Sequence, residues 1–294
     1  MLPSNYEPNT ALFVTTALKR TPELEAHARS LAAELTASFL PRADLGMPKL
    51  FETNAGYQKA LVVQAERLLL VRRSGEELFY HPNMAFLRLG NLLRGGRDLL
   101  MDATQLKPGE SVLDATLGYA AEAILCAHLV GDTGEVHGIE AVPELGIVVR
   151  EGLQSVTTDQ EILNAAMRRV KVVHLGNHLD FLRGCEDNRY DVVCFDPFFE
   201  EMLEQSHSIA PLRVFGSLSP LLPEAVSEAK RVARRRVVIK TEKWADTLSS
   251  LGVTERCGSR GGKVVYGIID VEKAEPITLP TTSGHAPPEL PLPH

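Results

Sequence analysis

An acid, a proline and two aromatics stand together in CFDPFFE, residues 194–200, where an apolar, strand-like run ends. These residue types suit one kind of chemistry. An exocyclic amine on a nucleobase is a poor nucleophile because its lone pair is delocalised into the ring. The Asp196 carboxylate and the Pro197 carbonyl can each accept an amine hydrogen and orient the nitrogen, and Asp196 can also take a proton. Phe198 or Phe199 can stack on an extruded base. The competing reading is structural, with both rings in the core and Asp196 capping a turn. The four residues taken together favour the chemical reading.

A second stretch, SVLDATLGYAAEA at residues 111–123, runs from an apolar strand into a helix through a turn with one glycine, Gly118. Dinucleotide-binding turns of the G-x-G-x-x-G kind use three, because a pyrophosphate presses closely on the backbone. Gly118 still admits a ligand near the chain, and the helix that follows offers free N–H groups to a carboxylate. Glu140 ends the next strand about twenty residues on, the spacing at which an acid meets ribose hydroxyls. A ligand with ribose, adenine and an amino-acid moiety fits this pattern better than NAD does, and S-adenosyl-L-methionine has those parts.

Positioning these residues falls to a run of alternating elements. Strand-like segments at 111–116, 135–141, 170–176, 191–197, 236–241 and 263–270 are separated by helix-period stretches at 119–129, 142–156, 209–232 and 242–251. Such alternation predicts βαβ units and an α/β, doubly wound, mostly parallel sheet. Residues 253–257 and 263–270, joined through GSRGG, read as an antiparallel hairpin closing its edge. Ligands of such sheets sit beyond the carboxyl ends of the strands where strand order reverses. That edge would gather Asp114, Thr116, Gly118, Glu140, Asn177 and Asp196. Residues 1–105 form a smaller α+β region with a strand at 10–17, a helix opening at Thr21, strands near 61–63 and 68–71 and a helix across 85–93. Residues 106–272 form the main domain, and the proline-rich tail at 273–294 is expected to be disordered.

The blocks VLDATLGYAAEA, FDPFF, LRVFGSL (212–218), ARRRVVIKTEKWAD (233–246) and SRGGKVVYGIID (259–270) follow one another in an order and spacing that resembles RsmJ-type methyltransferases. GGRD at 95–98 resembles the glycine-rich basic stretch before that family's first strand. The family methylates the exocyclic N2 of a guanine in small-subunit ribosomal RNA with S-adenosylmethionine on a class I, Rossmann-like fold. The resemblance implies cofactor contacts at Asp114, Thr116, Gly118 and Glu140. At the third strand tip the chain has Gly176, Asn177 and His178 where the family would carry Ser or Asp, and Asn177 is expected as a cofactor contact from its place at that edge alone. It implies an amine site at Asp196, Pro197 and Phe199. The family carries glycine where Ala120 stands, arginine where Ala121 stands, and a lysine-rich loop where this chain has EEMLEQSHS (200–208). DNA, tRNA or a small molecule as methyl acceptor, or a non-catalytic RNA-associated role, are the alternatives.

The formal charge of −7 speaks against strong nonspecific affinity for nucleic acid, yet ten basic residues against three acids lie between Lys230 and Lys263. That stretch, with Arg234, Arg235 and Arg236 at its centre, is either an RNA-facing patch or a solvated strand edge. Lys240 would face a substrate phosphate or reach to solvent. Arg88, Arg94 and Arg97 would contact RNA or decorate a helix surface. His81, His174 and His178 read as structural, and Trp244 as packing. The four scattered cysteines suit neither a disulfide framework nor a zinc site, so no metal is expected. No apolar run approaches the ~20 residues of a membrane span, and MLPSNYEPN lacks the features of a signal peptide, so a cytoplasmic location is expected.

Overall fold

The computed structural model describes residues 11–197, 210–243, 247–253 and 255–271. Phe198, Phe199, the loop at 200–208, Trp244 and the tail lie outside the described residues. The chain begins with β1 (Leu12–Thr16), α1 (Pro22–Glu34), β2 (Ser38–Phe39), α2 (Met47–Thr53), β3 (Lys59–Val63), β4 (Leu68–Arg72) and β5 (Glu77–Leu78), followed by α3 (Asn83–Leu93) and α4 (Leu99–Thr104). These strands make one sheet in the order β2-β1-β3-β4-β5. The α1 start obeys its local signals: Thr21 Oγ1 accepts the Leu24 N–H at 3.3 Å, Pro22 opens the helix, and Glu23 and Glu25 sit in its first turn.

The second sheet is built from β6 (Ser111–Asp114), α5 (Ala121–Val130), β7 (Glu135–Glu140), α6 (Pro143–Ser155), α7 (Glu161–Arg169), β8 (Val170–Leu175), α8 (His178–Arg183), β9 (Tyr190–Phe195), α9 (Ala210–Phe215), α10 (Pro223–Val232), β10 (Ala233–Glu242), α11 (Thr247–Ser250), β11 (Glu255–Gly258) and β12 (Val264–Asp270). Its order is β11-β12-β10-β9-β6-β7-β8. The five strands from β10 to β8 pair in parallel, while β12 runs antiparallel to both β10 and β11. The chain winds from β6 out to β8, then returns to β9 on the other side of β6. Strand order therefore reverses between β6 and β9, and the crevice at their carboxyl ends is where a ligand belongs. The α/β, doubly wound sheet with its terminal hairpin matches the sequence reading.

Three local expectations change. The helix expected over 209–232 is divided, because Pro220 and Pro223 interrupt it between α9 and α10. The helix expected at 242–251 shrinks to α11, since β10 continues through Glu242, which pairs with Val264. Residues 161–169, given no element by the sequence reading, form α7, which buries Leu163, Ala166 and Met167 at helical spacing.

One hydrophobic core runs through both sheets, joining Leu12, Leu61 and Leu70 with Ile124, Val148 and Ile268. Helix α6 is the seam. Its Gly152 lies against the Tyr80 ring, where an added Cβ would sit 2.2 Å from the nearest ring carbon. Ion pairs cross the same seam from Arg150 to Glu34 at 2.6 Å and from Lys59 to Glu144. Among the described residues no helix is long and apolar enough to cross a membrane.

Candidate active site

The turn after β6 is tied to both neighbouring strands. The Ala115 N–H donates to the Cys194 carbonyl of β9 at 2.9 Å, and the Leu117 N–H to the Ile139 carbonyl of β7 at 2.8 Å. Gly118, at φ +48°, donates its N–H to Glu140 Oε2 at 3.0 Å, and Glu140 Oε1 accepts the Val142 N–H at 3.0 Å. Ala120 is left-handed at φ +62° and starts α5 without a side-chain cap, so the first N–H groups of that helix are left for a ligand. Beneath the turn Asp114 accepts the Thr116 N–H at 3.1 Å. Above it Thr116 Oγ1 accepts the Asp196 N–H at 2.5 Å, which joins the tip of β9 to the turn.

A cavity of about 530 Å³ opens over this edge. Of the residues singled out by sequence, Thr116, Gly118, Glu140, Asn177, Asp196 and Pro197 all line it. Asp114 is buried beneath the turn and is not part of the lining, and Phe199 lies outside the described residues. Asn177 is also structural, because its Oδ1 accepts the Leu179 N–H at 2.8 Å and caps α8. The opposite wall comes from the N-terminal region, with His81, Met84, Arg88, Arg97 and Asp98.

The floor of the cavity is a chain of buried charges that sequence reasoning did not assemble. Lys240 Nζ lies 2.6 Å from Asp196 Oδ2 and 2.9 Å from Glu122 Oε1. Glu122 also receives Arg88 at 2.6 Å, and Arg88 grips Asp98 through contacts of 2.8 and 2.9 Å. Asp98 in turn accepts the Leu100 N–H and caps α4. Lys240 and Arg88 are both largely buried and paired with acids at the cavity floor, so neither is a solvent-facing surface charge. The partners come from α3, α5 and the ends of β9 and β10, too far apart in sequence for any spacing rule. The one local hint is Glu122 in the first turn of a helix, where an acid is favoured.

Burial sets the protonation of these groups. It pushes Asp114 up to about 8, helped by the charge of Glu122, and Glu140 up to about 7 against the backbone N–H groups of Val142, Gly118 and Ala141. Asp196 rises to about 6, because burial raises it while Lys240 pulls it down. Burial would raise Glu122 as well, but Lys240 and Arg88 overcome that and hold it well below the usual carboxylate range.

The basic stretch is a correction. Arg235 donates to the Thr104 carbonyl at 3.1 Å and pairs with Glu110 at 2.9 Å, and buried Arg236 bonds Asp270 at 2.7 Å and the Ala103 carbonyl at 2.7 Å. Arg234 pairs with Asp191 at 3.2 Å. All three sit at the start of β10, at the edge of the sheet away from the cavity. Arg235 and Arg236 fasten α4 and β12 to it, and the half-exposed Arg234 ties β10 to β9 and β6 through Asp191 and Ser111. The histidines pack on rings: His81 on Tyr119, His174 on Phe181 and His178 on Phe195, at centroid distances of 4.5, 5.4 and 5.5 Å.

The cavity fits S-adenosylmethionine on its own terms. Its volume lies within the ~300–1,000 Å³ of small-molecule sites. The uncapped start of α5 suits the carboxylate, Glu140 lines the wall where ribose hydroxyls would seek an acceptor, and Leu117, Leu145, Leu212 and Leu221 supply apolar walls for adenine. With a single glycine in the turn, the backbone offers no second close approach for a pyrophosphate.

Sequence comparison agrees. Residues 49–261 match the family described as "Putative SAM-dependent methyltransferase". YpiP of Bacillus subtilis (strain 168), described as uncharacterized, is 37% identical over 227 residues, 77% of this chain and 87% of that one. The "Ribosomal RNA small subunit methyltransferase J" of Serratia proteamaculans is 30% identical over 204 residues, 65% of this chain and 79% of that one. Its namesake in Shewanella amazonensis is 31% identical over 168 residues, 55% and 66% of the two chains. The crystal structure of a SAM-dependent methyltransferase from Neisseria gonorrhoeae shares the fold at a TM-score of 0.60 and 14% identity, covering 90% of this chain and 97% of that one. With cofactor turn, switch point and relatives in agreement, the chain belongs to the RsmJ-like class I SAM-dependent methyltransferases, enzymes that use S-adenosylmethionine.

Proposed function

We propose that this enzyme methylates the exocyclic N2 amine of a guanine in small-subunit ribosomal RNA. The observation that carries the reading is the joining of two half-sites. Thr116 of the glycine turn holds the backbone of Asp196, and Gly118 and Asp196 line the same cavity. The likeness to the small-subunit methyltransferases of Serratia and Shewanella supports ribosomal RNA as the substrate class.

When bound, S-adenosylmethionine supplies an electrophilic methyl: a nitrogen–carbon bond forms as the carbon–sulfur bond breaks, and its electron pair stays on sulfur. This chain's residues prepare the acceptor. Asp196 is ionised at neutral pH with its carboxyl near 6, and together with the Pro197 carbonyl it accepts the two amine hydrogens and turns the lone pair toward the methyl. The proton released from nitrogen passes to the Asp196 carboxylate and from there to water. Thr116 fixes the strand tip, Gly118 and Glu140 shape the cofactor wall, and Asn177 stands at the adenine end. Residues 1–105 bring the opposite wall and serve as the RNA-binding region.

Nucleosides from small-subunit ribosomal RNA of cells with and without the gene, compared by mass spectrometry, test the substrate. N2-methylguanosine at one site should be lost with the gene and return when it is restored. If the loss falls instead in tRNA or DNA, or no methylated nucleoside changes, the ribosomal reading is wrong.

A further inference from the structure

Asp196 and Glu122 both face one ammonium group. Among the described residues Lys240 is the cation that touches Asp196, and its side chain is only 16% exposed. A buried ion cluster is a poor way to gain stability, since apolar side chains of similar volume commonly do as well. The geometry therefore invites a functional reason for the lysine.

We propose that Lys240 is the positioning residue of the methyl-transfer site, holding the Asp196 carboxylate ionised with Oδ2 pinned and Oδ1 left for the base amine. The inference rests on the reading of Asp196 as amine acceptor. Arg88 serves the same end from outside the sheet. By holding Glu122 at 2.6 Å it fixes the second carboxylate against which Lys240 is braced. A helix of the N-terminal region thus acts on the catalytic carboxylate through two intervening side chains.

The groups around Asp196 show why the ammonium matters. Lys240 faces it from β10, Glu122 from α5, Arg88 from α3, Asp114 from β6 and Tyr266 from β12. Burial and the acid Glu122 favour the neutral carboxyl, while Lys240 and Arg88 favour the carboxylate; Asp114, raised to about 8, is itself neutral where Asp196 titrates. Without Lys240, one guanidinium that already serves Glu122 and Asp98 remains against burial and the Glu122 charge. Asp196 would then hold its proton into the neutral range. A protonated carboxyl cannot take the proton that the amine releases.

Carboxyl NMR of protein labelled with ¹³C-aspartate reads this directly, with the Asp196 signal assigned by its loss in Asp196→Asn. The wild-type midpoint should lie near 6. Lys240→Met should raise it by about one pH unit or more, a roughly tenfold smaller ionised fraction below the midpoint. The acid limb of the pH–kcat profile on small ribosomal subunits from the deletion strain should move with it. S-adenosylmethionine affinity should change by no more than a few-fold. Glu122→Gln should lower the midpoint by removing the competing acid, and Lys240→Arg should restore it toward wild type. These two carry the test should Lys240→Met fail to fold. Midpoints unchanged in Lys240→Met and Glu122→Gln would overturn the positioning role while an inactive Asp196→Asn kept Asp196 as acceptor. A fully active Asp196→Asn would remove both readings at once.

Discussion

Asp114, Glu140 and Asp196 are carboxyls whose burial raises them in the fold, to about 8, 7 and 6. For each, the folded chain keeps a proton that the unfolded chain gives up near pH 4. Their stabilising contribution is therefore complete below about pH 4 and is lost as pH rises through the folded value. Asp114 has the widest window and only structural partners, which makes it the cleanest probe. Asp114→Asn cannot ionise, so its thermal midpoint should improve relative to wild type as pH is raised from about 6 to about 9. A difference that stays flat across that range would show that Asp114 is already ionised at neutral pH. The sequence made Asp114, Glu140 and Asp196 visible because each ends a strand at the same edge of the sheet. It could not show that Asp114 lies under the turn rather than in the cavity, because that depends on which way the chain folds over it. The pairing of Glu122 with Arg88 and Lys240 stayed hidden for a related reason: the partners lie 34 and 118 residues apart.

At the level of elements, the turn into α5 is strained at Ala120. Ala120 holds φ at +62°, a conformation that costs an L-residue about 1–2 kcal/mol. Ala120→Gly should remove that strain at the expense of some unfolded-state entropy, for a net gain of about 1 kcal/mol in urea denaturation. A loss of stability would mean that the fully buried Ala120 methyl contributes more through packing than its backbone strain removes. Elements with simple periodicity were legible: β6, α5, β7, α6 and the terminal hairpin stand close to where the pattern puts them. Boundaries set by tertiary pairing were not. The extension of β10 through Glu242 depends on its partner strand, and the division of α9 from α10 on two prolines read only as part of a longer helix.

Across the whole molecule, the alternation of strands and helices revealed the doubly wound sheet, but not that the N-terminal region shares its core and closes its cavity. That arrangement rests on Tyr80 seated against Gly152 and on Arg88 reaching Glu122, contacts with no local signature. The charge distribution was misleading for a similar reason. Arg234 to Arg236 read in sequence as either an RNA patch or a solvated strand edge, and the fold spends them on carbonyls and carboxylates at the far edge of the sheet. What remains is one cavity lined by the glycine turn and by Asp196 and Pro197, joined through Thr116 and Asp196, the first proposed as a cofactor wall and the second as an amine-accepting wall. If the two walls have separate roles, mutation can part them. Asp196→Asn, assayed by calorimetry with S-adenosylmethionine and by methyl transfer to small ribosomal subunits from the deletion strain, should bind the cofactor within a few-fold of wild type. Its transfer rate should fall by about 10²-fold or more. Transfer at the wild-type rate, or cofactor binding lost along with it, would contradict the account.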